Sequence, residues 1–463
     1  MLFPLAFSLY YDEPDTIPFA ISIGITACFG ILLWLVRRYG GERLNRREGL
    51  MLVTGVWVSA AFFGSLPYYF AGIFPSYTDC FFEAMSGFTT TGASVLTSIE
   101  TLPHGILFWR NLTQWLGGMG IVVLFIAILP LLGGGAAQLA ESELPGPKGE
   151  RITARVRDTA KILWQLYMGF SLLEFLALLI VGLPFFDAIV TMLGTMPTGG
   201  FHLKNLSIAA YDSVFVEGIV TFFMVIAGAN FQLYYYIFWK RGFKRFFTDR
   251  EFLVYIGILI AATLLISSDL VSNLGYSIST AFRYATFQAV SIQTTTGFAT
   301  ADFALWPSLS RSILLVLMII GGSAFSTGGG LKVIRIVVLV KYIYRQLFLS
   351  FNPRAVQPMK LAGRVLGEKT ISDIVGLSLL YFFALGIGLL VMSALGLEPL
   401  TAFSAVAATL GNVGPGLGAV GPVANYAQVP EIGKIVLSVL MLIGRLELWT
   451  VLAILTPALW RAR

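Results

Sequence analysis

Four times along the chain an apolar segment of roughly a dozen residues, too short to cross a bilayer as helix, runs into a stretch that contains glycine. The segments lie near 79–90, 186–197, 281–294 and 400–411. The stretches are Thr89-Thr90-Thr91-Gly92-Ala93, Met196-Pro197-Thr198-Gly199-Gly200, Thr294-Thr295-Thr296-Gly297-Phe298 and Gly411-Asn412-Val413-Gly414-Pro415. Their anchoring glycines, Gly92, Gly199, Gly297 and Gly414, follow one another at 107, 98 and 117 residues, and Thr91, Thr198, Thr296 or Val413 stands before each. Around them are nine longer apolar runs that suit crossings, near 17–36, 50–70, 106–131, 161–182, 214–239, 252–270, 311–345, 371–396 and 432–460. A short apolar segment between two crossings reads as a buried or re-entrant helix.

Composition makes the crossings necessary. Charged residues are 12% of the 463 and hydrophobic ones 57%, where a soluble domain carries about 25% charge. With a mean hydropathy of +0.80, too few polar side chains exist to cover a water-exposed surface. Two cysteines, Cys28 and Cys80, exclude a disulfide framework, and with His104 and His202 as the two histidines there is little for metal catalysis. The net charge of +6 does not indicate nucleic acid, because basic clusters at 37–47, 148–161, 240–250, 332–369 and 461–463 hold 25 of the 31 Lys and Arg. Alternate crossings put all these clusters on one face, which the positive-inside rule makes cytoplasmic. Arg110, Lys204, Arg283, Arg311 and Lys434 fall on the other face and Arg445 inside the last span. All four short segments then enter from outside. The N-terminus, with Asp12, Glu13 and Asp15, also lies outside, and Met1 to Leu9 reads as a truncated helix or an interfacial segment without signal-peptide features.

One Thr-Thr-Thr-Gly alone is more often a packing feature of a membrane helix. Four copies in equivalent places point instead to ion dehydration, in which extended backbone beside glycine presents carbonyls that replace the water shell of a potassium ion. The coordinating set on this reading is Thr90, Thr91 and Gly92, then Pro197, Thr198 and Gly199, then Thr295, Thr296 and Gly297, then Asn412, Val413 and Gly414. Each short helix would aim its negative end at the cation.

Two further features belong inside the membrane. The run from Gly321 to Gly330 interrupts the seventh apolar stretch, and Gly321, Gly322, Gly328, Gly329 and Gly330 are five of its ten residues. A helix broken there needs polar surroundings; the bland reading is a packing kink. Arg445 falls near the middle of the last stretch, either facing the pore, where it would meter cations, or paired with Glu447 or Glu174. No Walker A spacing occurs, since Lys332 is separated from Gly330 by Leu331. His104 and His202 read as solvated, and Glu83 as a carboxylate near a helix start that could concentrate cations.

The runs SGFTTTGAS at 86–94, RNLTQWLGGMGI at 110–121, SIQTTTGFAT at 291–300, STGGGLKVIR at 326–335, LGNVGPGLG at 410–418 and GRLELWT at 444–450 resemble the TrkH family of potassium-uptake proteins, within the Trk/Ktr/HKT superfamily. The resemblance implies an all-α integral membrane fold, with four tandem units of helix, pore loop and helix in a pseudo-fourfold arrangement around one central pore and one extra N-terminal transmembrane helix. It implies a loop below the filter that acts as a gate with Arg445, and a preference for potassium, since Gly92 stands where serine accompanies sodium preference in some plant members. It also implies a homodimer in the cytoplasmic (inner) membrane of a prokaryote, in contact with membrane lipid and regulated by a cytosolic nucleotide-binding subunit of the TrkA type. Potassium is then the transported substrate, with no nucleotide bound by this chain, no nucleic acid and no enzymatic activity. The expected division is 1–48 for the N-terminal segment and extra helix, 49–135 for the first unit, 136–160 for a cytoplasmic linker and 161–245 for the second unit. The third unit follows at 246–350 with the loop 321–330, then a linker at 351–370 and the fourth unit at 371–463. A potassium/proton or potassium/sodium symporter using the same filter is the alternative.

Overall fold

The computed structural model describes residues 1–36, 46–132, 156–240, 242–361, 364–446 and 451. Glu447, most of the linker at 136–160 and many residues of the basic clusters, Arg37, Lys148, Arg241 and Arg461 among them, lie outside the described residues.

Among the described residues the secondary structure is helical apart from a two-residue antiparallel pairing of Lys360–Leu361 with Arg364–Val365. Helices α1 (Leu2–Tyr10) and α2 (Thr16–Val36) come first. The first unit holds α3 (Arg46–Gly64), α4 (Leu66–Phe70), the short α5 (Tyr77–Phe88) and α6 (His104–Leu132). The second holds α7 (Val156–Ile180), the short α8 (Phe185–Thr195), α9 (Val214–Gly228) and α10 (Phe231–Lys240). After α11 (Phe243–Thr248), the third holds α12 (Arg250–Leu274), the short α13 (Ile278–Gln293), α14 (Ser308–Ile320) and α15 (Val333–Phe351). The fourth holds α16 (Glu368–Ala394), the short α17 (Pro399–Leu410) and α18 (Glu431–Arg445). Among the described residues five helices are long and apolar enough to cross a membrane, and a sixth if α9 and α10 count as one span. Only 11% of the apolar window of α2 is buried within the protein, as suits a helix whose neighbour is lipid.

Two of the four short helices start on a serine cap. Ser76 Oγ accepts from Asp79 N (3.2 Å) and Ser277 Oγ from Thr280 N (3.2 Å), while α17 opens on Pro399.

Three of the expected crossings differ from a simple span. The 214–239 stretch turns by 94° between α9 and α10. Ala229 is extended there, and Asn230 Oδ1 accepts from Gln232 N (2.9 Å) to cap the new helix. The 311–345 stretch is broken from Gly321 to Lys332, two residues further than the glycines imply. These two breaks satisfy each other's backbone: Ser323 N donates to Gly228 O (2.9 Å), Thr327 N to Ala227 O (3.2 Å) and Phe231 N to Phe325 O (3.2 Å). Broken helix at membrane depth is tolerated on that condition. Finally, α18 ends at Arg445, so this residue terminates a helix instead of sitting in the middle of one.

At the outer end α1 packs on α6, with the Phe7 and Phe108 rings 4.5 Å apart. Glu13 caps α6, accepting from His104 N (2.6 Å) and meeting His104 Nδ1 (2.7 Å), while Tyr11 stacks on the imidazole at 3.9 Å. His104 is therefore a partnered cap residue whose side chain stays 39% exposed to solvent.

Candidate cation-coordinating ring

Each short helix ends in the same way. Thr90 N, Thr198 N, Thr295 N and Asn412 N donate three residues back, to Gly87 O (2.9 Å), Thr195 O (2.8 Å), Ile292 O (3.1 Å) and Thr409 O (3.2 Å). The next residues, Thr91, Gly199, Thr296 and Val413, donate five residues back, to Ser86 O (2.9 Å), Gly194 O (2.9 Å), Ser291 O (2.8 Å) and Ala408 O (2.7 Å). This pair of bonds is the Schellman motif, which places one residue in the left-handed region and is normally built on glycine. Here that residue is Thr90 (φ 52°), Thr198 (φ 55°), Thr295 (φ 62°) or Asn412 (φ 53°). A β-branched residue there is a genuine outlier, costing about 1–2 kcal/mol. Its appearance in three of the four units, with asparagine in the fourth, means the surrounding structure imposes it.

Two residues on, the chain needs glycine. Gly92, Gly200 and Gly297 all have φ 81° and Gly414 has φ 99°. A Cβ on Gly92 would collide with Gly199 O, one on Gly200 with Thr296 O, one on Gly297 with Val413 O, and one on Gly414 would lie 2.6 Å from Thr91 O. These contacts run from the first unit to the second, third and fourth and back to the first, a closed circuit. It corrects the repeat register in the second unit: Gly200 is the counterpart of Gly92, Gly297 and Gly414, and Gly199 occupies the place of Thr91, Thr296 and Val413. Pro197 accordingly matches Thr89, Thr294 and Gly411, one step before the strained residue.

Side chains brace the circuit from outside. Thr89 and Thr91 share a hydroxyl contact of 2.8 Å, as do Thr294 and Thr296. Asn412 Nδ2 donates to Thr91 Oγ1 (2.9 Å) and Met441 O (3.0 Å), tying the fourth unit to the first. Gln114 Nε2 donates to Gly199 O (2.6 Å), and Gln114 Oε1 accepts from Phe201 N (3.0 Å). Gly92, Gly200, Gly297 and Gly414 line one cavity of about 260 Å³ at the outer side. Glu83 does not open onto it as a free carboxylate. It is fully buried, 2.7 Å from Arg110 Nη2, and accepts from Ser94 Oγ (2.9 Å) and Val95 N (3.0 Å), so it anchors the strand beyond the ring. His202, expected in solvent, is buried between the Tyr211 and Phe298 rings.

Below the ring the 321–332 loop touches several units. Gly329 N donates to Thr295 Oγ1 (2.7 Å), Thr327 Oγ1 to Met196 O (3.1 Å), and a Cβ on Gly329 would collide with Gly411 O. Glu251, buried at the start of α12, accepts from Ala324 N (2.7 Å). Arg445 Nη1 donates to Thr327 O (2.6 Å) and Nη2 to Gly117 O (3.3 Å), which links the loop to α6. Among the described residues Arg445 makes no ion pair, and Glu174 is buried without a hydrogen bond to either oxygen.

Sequence reasoning missed the ion pairs between units. Lys434 on α18 meets Asp79 on α5 at 2.5 Å, both buried, and Glu217 on α9 holds Arg283 on α13 at 2.6 Å. In both, the helix after one pore loop pairs with the short helix of the next unit, with the charges reversed. The only advance signal was that Lys434 and Arg283 stand among the five basic residues on the outer face.

Comparison with known proteins agrees with this architecture. The sequence pattern of TrkH, described as a cation transport protein, matches residues 17–459. The chain is 39% identical to the Trk system potassium uptake protein TrkH of Salmonella typhimurium and 40% to that of Vibrio parahaemolyticus, over 100% of this chain and 96% of each relative. It is 30% identical to the Trk system potassium uptake protein TrkG of Escherichia coli, over 100% of this chain and 95% of that one. The crystal structure of the potassium transporter TrkH from Vibrio parahaemolyticus superposes with a TM-score of 0.90 at 38% identity, covering 99% of this chain and 96% of that one. An all-α, multi-pass inner-membrane fold with four pore-loop units, shared end to end with these proteins, makes this chain a member of the TrkH family of cation transporters and not an enzyme.

Proposed function

We propose that the chain passes potassium inward across the cytoplasmic membrane through the ring at 90–92, 198–200, 295–297 and 412–414. The observation that carries this reading is the closed circuit of glycine against neighbouring carbonyl, which brings four uncharged stretches of similar backbone together in a ring. Relatives similar over their whole length are named potassium uptake proteins, which supports the cargo. The strained residues hold carbonyls in place before the ion arrives, so dehydration meets a preorganised site. The 321–332 loop, held by Arg445 and Glu251, gates from below. The chain works as a homodimer, and its cytoplasmic basic clusters receive a nucleotide-binding TrkA-type subunit and acidic lipid.

The test is rubidium uptake into liposomes, comparing the native chain with Gly297→Ser, with and without an imposed proton or sodium gradient. The expected result is a loss of uptake or of potassium-over-sodium preference in the variant; unchanged uptake and preference would sink the ring. Uptake that follows the rubidium gradient alone marks conduction, and uptake that requires the second gradient marks symport.

A further inference from the structure

The cavity above the ring is an entrance for cations whose charged walls are basic. Arg110 and Lys204 are the charged side chains that line it, and no carboxylate among the described residues does. Arg110 is neutralised by Glu83. Lys204 is partly buried and makes no ion pair among the described residues.

Its position is fixed by the fold. Arg110 Nη1 donates to His202 O (3.4 Å), Phe201 N donates to Gln114 Oε1 (3.0 Å), and Lys204 N donates to His202 Nδ1 (3.1 Å). Because Nδ1 accepts, the ring proton sits on Nε2 and the imidazole is neutral. Glu100 stays outside the lining, bound to Asn205 through N (2.9 Å) and Nδ2 (2.6 Å). One basic side chain without an ion pair among the described residues therefore stands at the mouth of a path for positive ions, with the Glu100 carboxylate held behind Asn205.

We propose that Lys204 meters entry: its ammonium raises the potential in the outer mouth and lowers the rate at which cations reach the ring, without changing which cation the ring accepts. This rests on the ring being the cation path. A charge in a cleft acts on arrival rates and is screened by salt, whereas ion choice is made by carbonyl geometry deeper in.

Rubidium uptake by the full-length protein in liposomes tests this with Lys204→Arg, Lys204→Gln and Lys204→Glu. Ionic strength is set with an impermeant salt. At about 10 mM, where the screening length is roughly 30 Å, Lys204→Gln should speed uptake by roughly two- to fivefold and Lys204→Glu by more, with Lys204→Arg at the native rate. Near 1 M, where that length is about 3 Å, the rates should converge. The potassium-over-sodium ratio should stay fixed throughout. Equal rates for all four proteins at low salt, or differences that persist at high salt, would overturn the proposal. Gly297→Ser measured alongside keeps the two readings apart: if it abolishes uptake while the Lys204 variants match the native protein, only the metering role falls. If Gly297→Ser is silent, the ring itself falls.

Discussion

At the ends of α5, α8, α13 and α17 the same two backbone hydrogen bonds recur, with lengths of 2.8–3.2 Å and 2.7–2.9 Å. Just below, the helices that follow share nothing of the kind. Helix α6 runs unbroken to Leu132, α9 turns through 94° into α10, α14 gives way to a loop before α15, and α18 stops at Arg445. The same four units are thus equivalent at one depth and different at the next. On the proposed function a cation at the centre of the ring would be met by four similar sets of carbonyls, which accounts for the equivalence there. The proposed gate needs no such symmetry, and the two breaks depart from it while satisfying one another's backbone groups.

Substitutions at four places would break or sharpen that contrast. The largest effect belongs to the ring: Gly200→Ala combines φ 81° with a collision against the backbone of Thr296 and should abolish rubidium uptake. Gly199→Ala meets the side chain of Gln114 instead and should be milder. If Gly199→Ala proves the more damaging, Gly199 and not Gly200 is the counterpart of Gly92, Gly297 and Gly414. Next come the seams. Lys434→Met leaves Asp79 buried and unpaired, and thermal unfolding in detergent should show a loss of about 3–5 kcal/mol, largely recovered by adding Asp79→Leu. No loss in the single variant would mean the pair does not hold the fourth unit to the first.

Below the ring, Arg445→Gln removes the charge-assisted bond to Thr327 O and should raise uptake roughly tenfold by loosening the loop, the equivalent of about 1.5 kcal/mol, with ion preference unchanged. An unchanged rate would remove Arg445 from the gate. The smallest effect is at the outer end, where Glu13→Gln weakens the cap on α6; stability should fall by about 1 kcal/mol or less and uptake should not change. A large drop in uptake there would mean that the α1 contact bears on the ring.

The contrast also explains which features the sequence made legible. Thr-Thr-Thr-Gly at 89–92 and 294–297 is the ring written twice, because the backbone shape demands a particular residue type at a fixed place. The second unit misled by one position: Gly199-Gly200 offers two glycines, and the β-branched Thr198 points to the first. What selects Gly200 is the left-handed turn at Thr198, two residues earlier, and that turn is set by the surrounding units. Five glycines in ten residues betrayed the loop at 321–330. The bend at 228–231 was harder to see, since 214–239 is long and mostly apolar, Gly228 and the capping Asn230 are its only local marks, and its break is stabilised by residues about 100 positions away. Arg445 was visible as a charge in an apolar stretch, but its partners are carbonyls, which leave no trace in composition. His202 was misread for the related reason that it is covered by Tyr211, nine residues further along the same connection, and by Phe298 from the third unit.

The equivalence of the four strands is most directly tested by locating the ion. Anomalous scattering from rubidium in crystals of the native protein should give a peak in contact with backbone carbonyls from all four of 90–92, 198–200, 295–297 and 412–414. A peak held by side chains, or by the strands of only one or two units, would contradict the account.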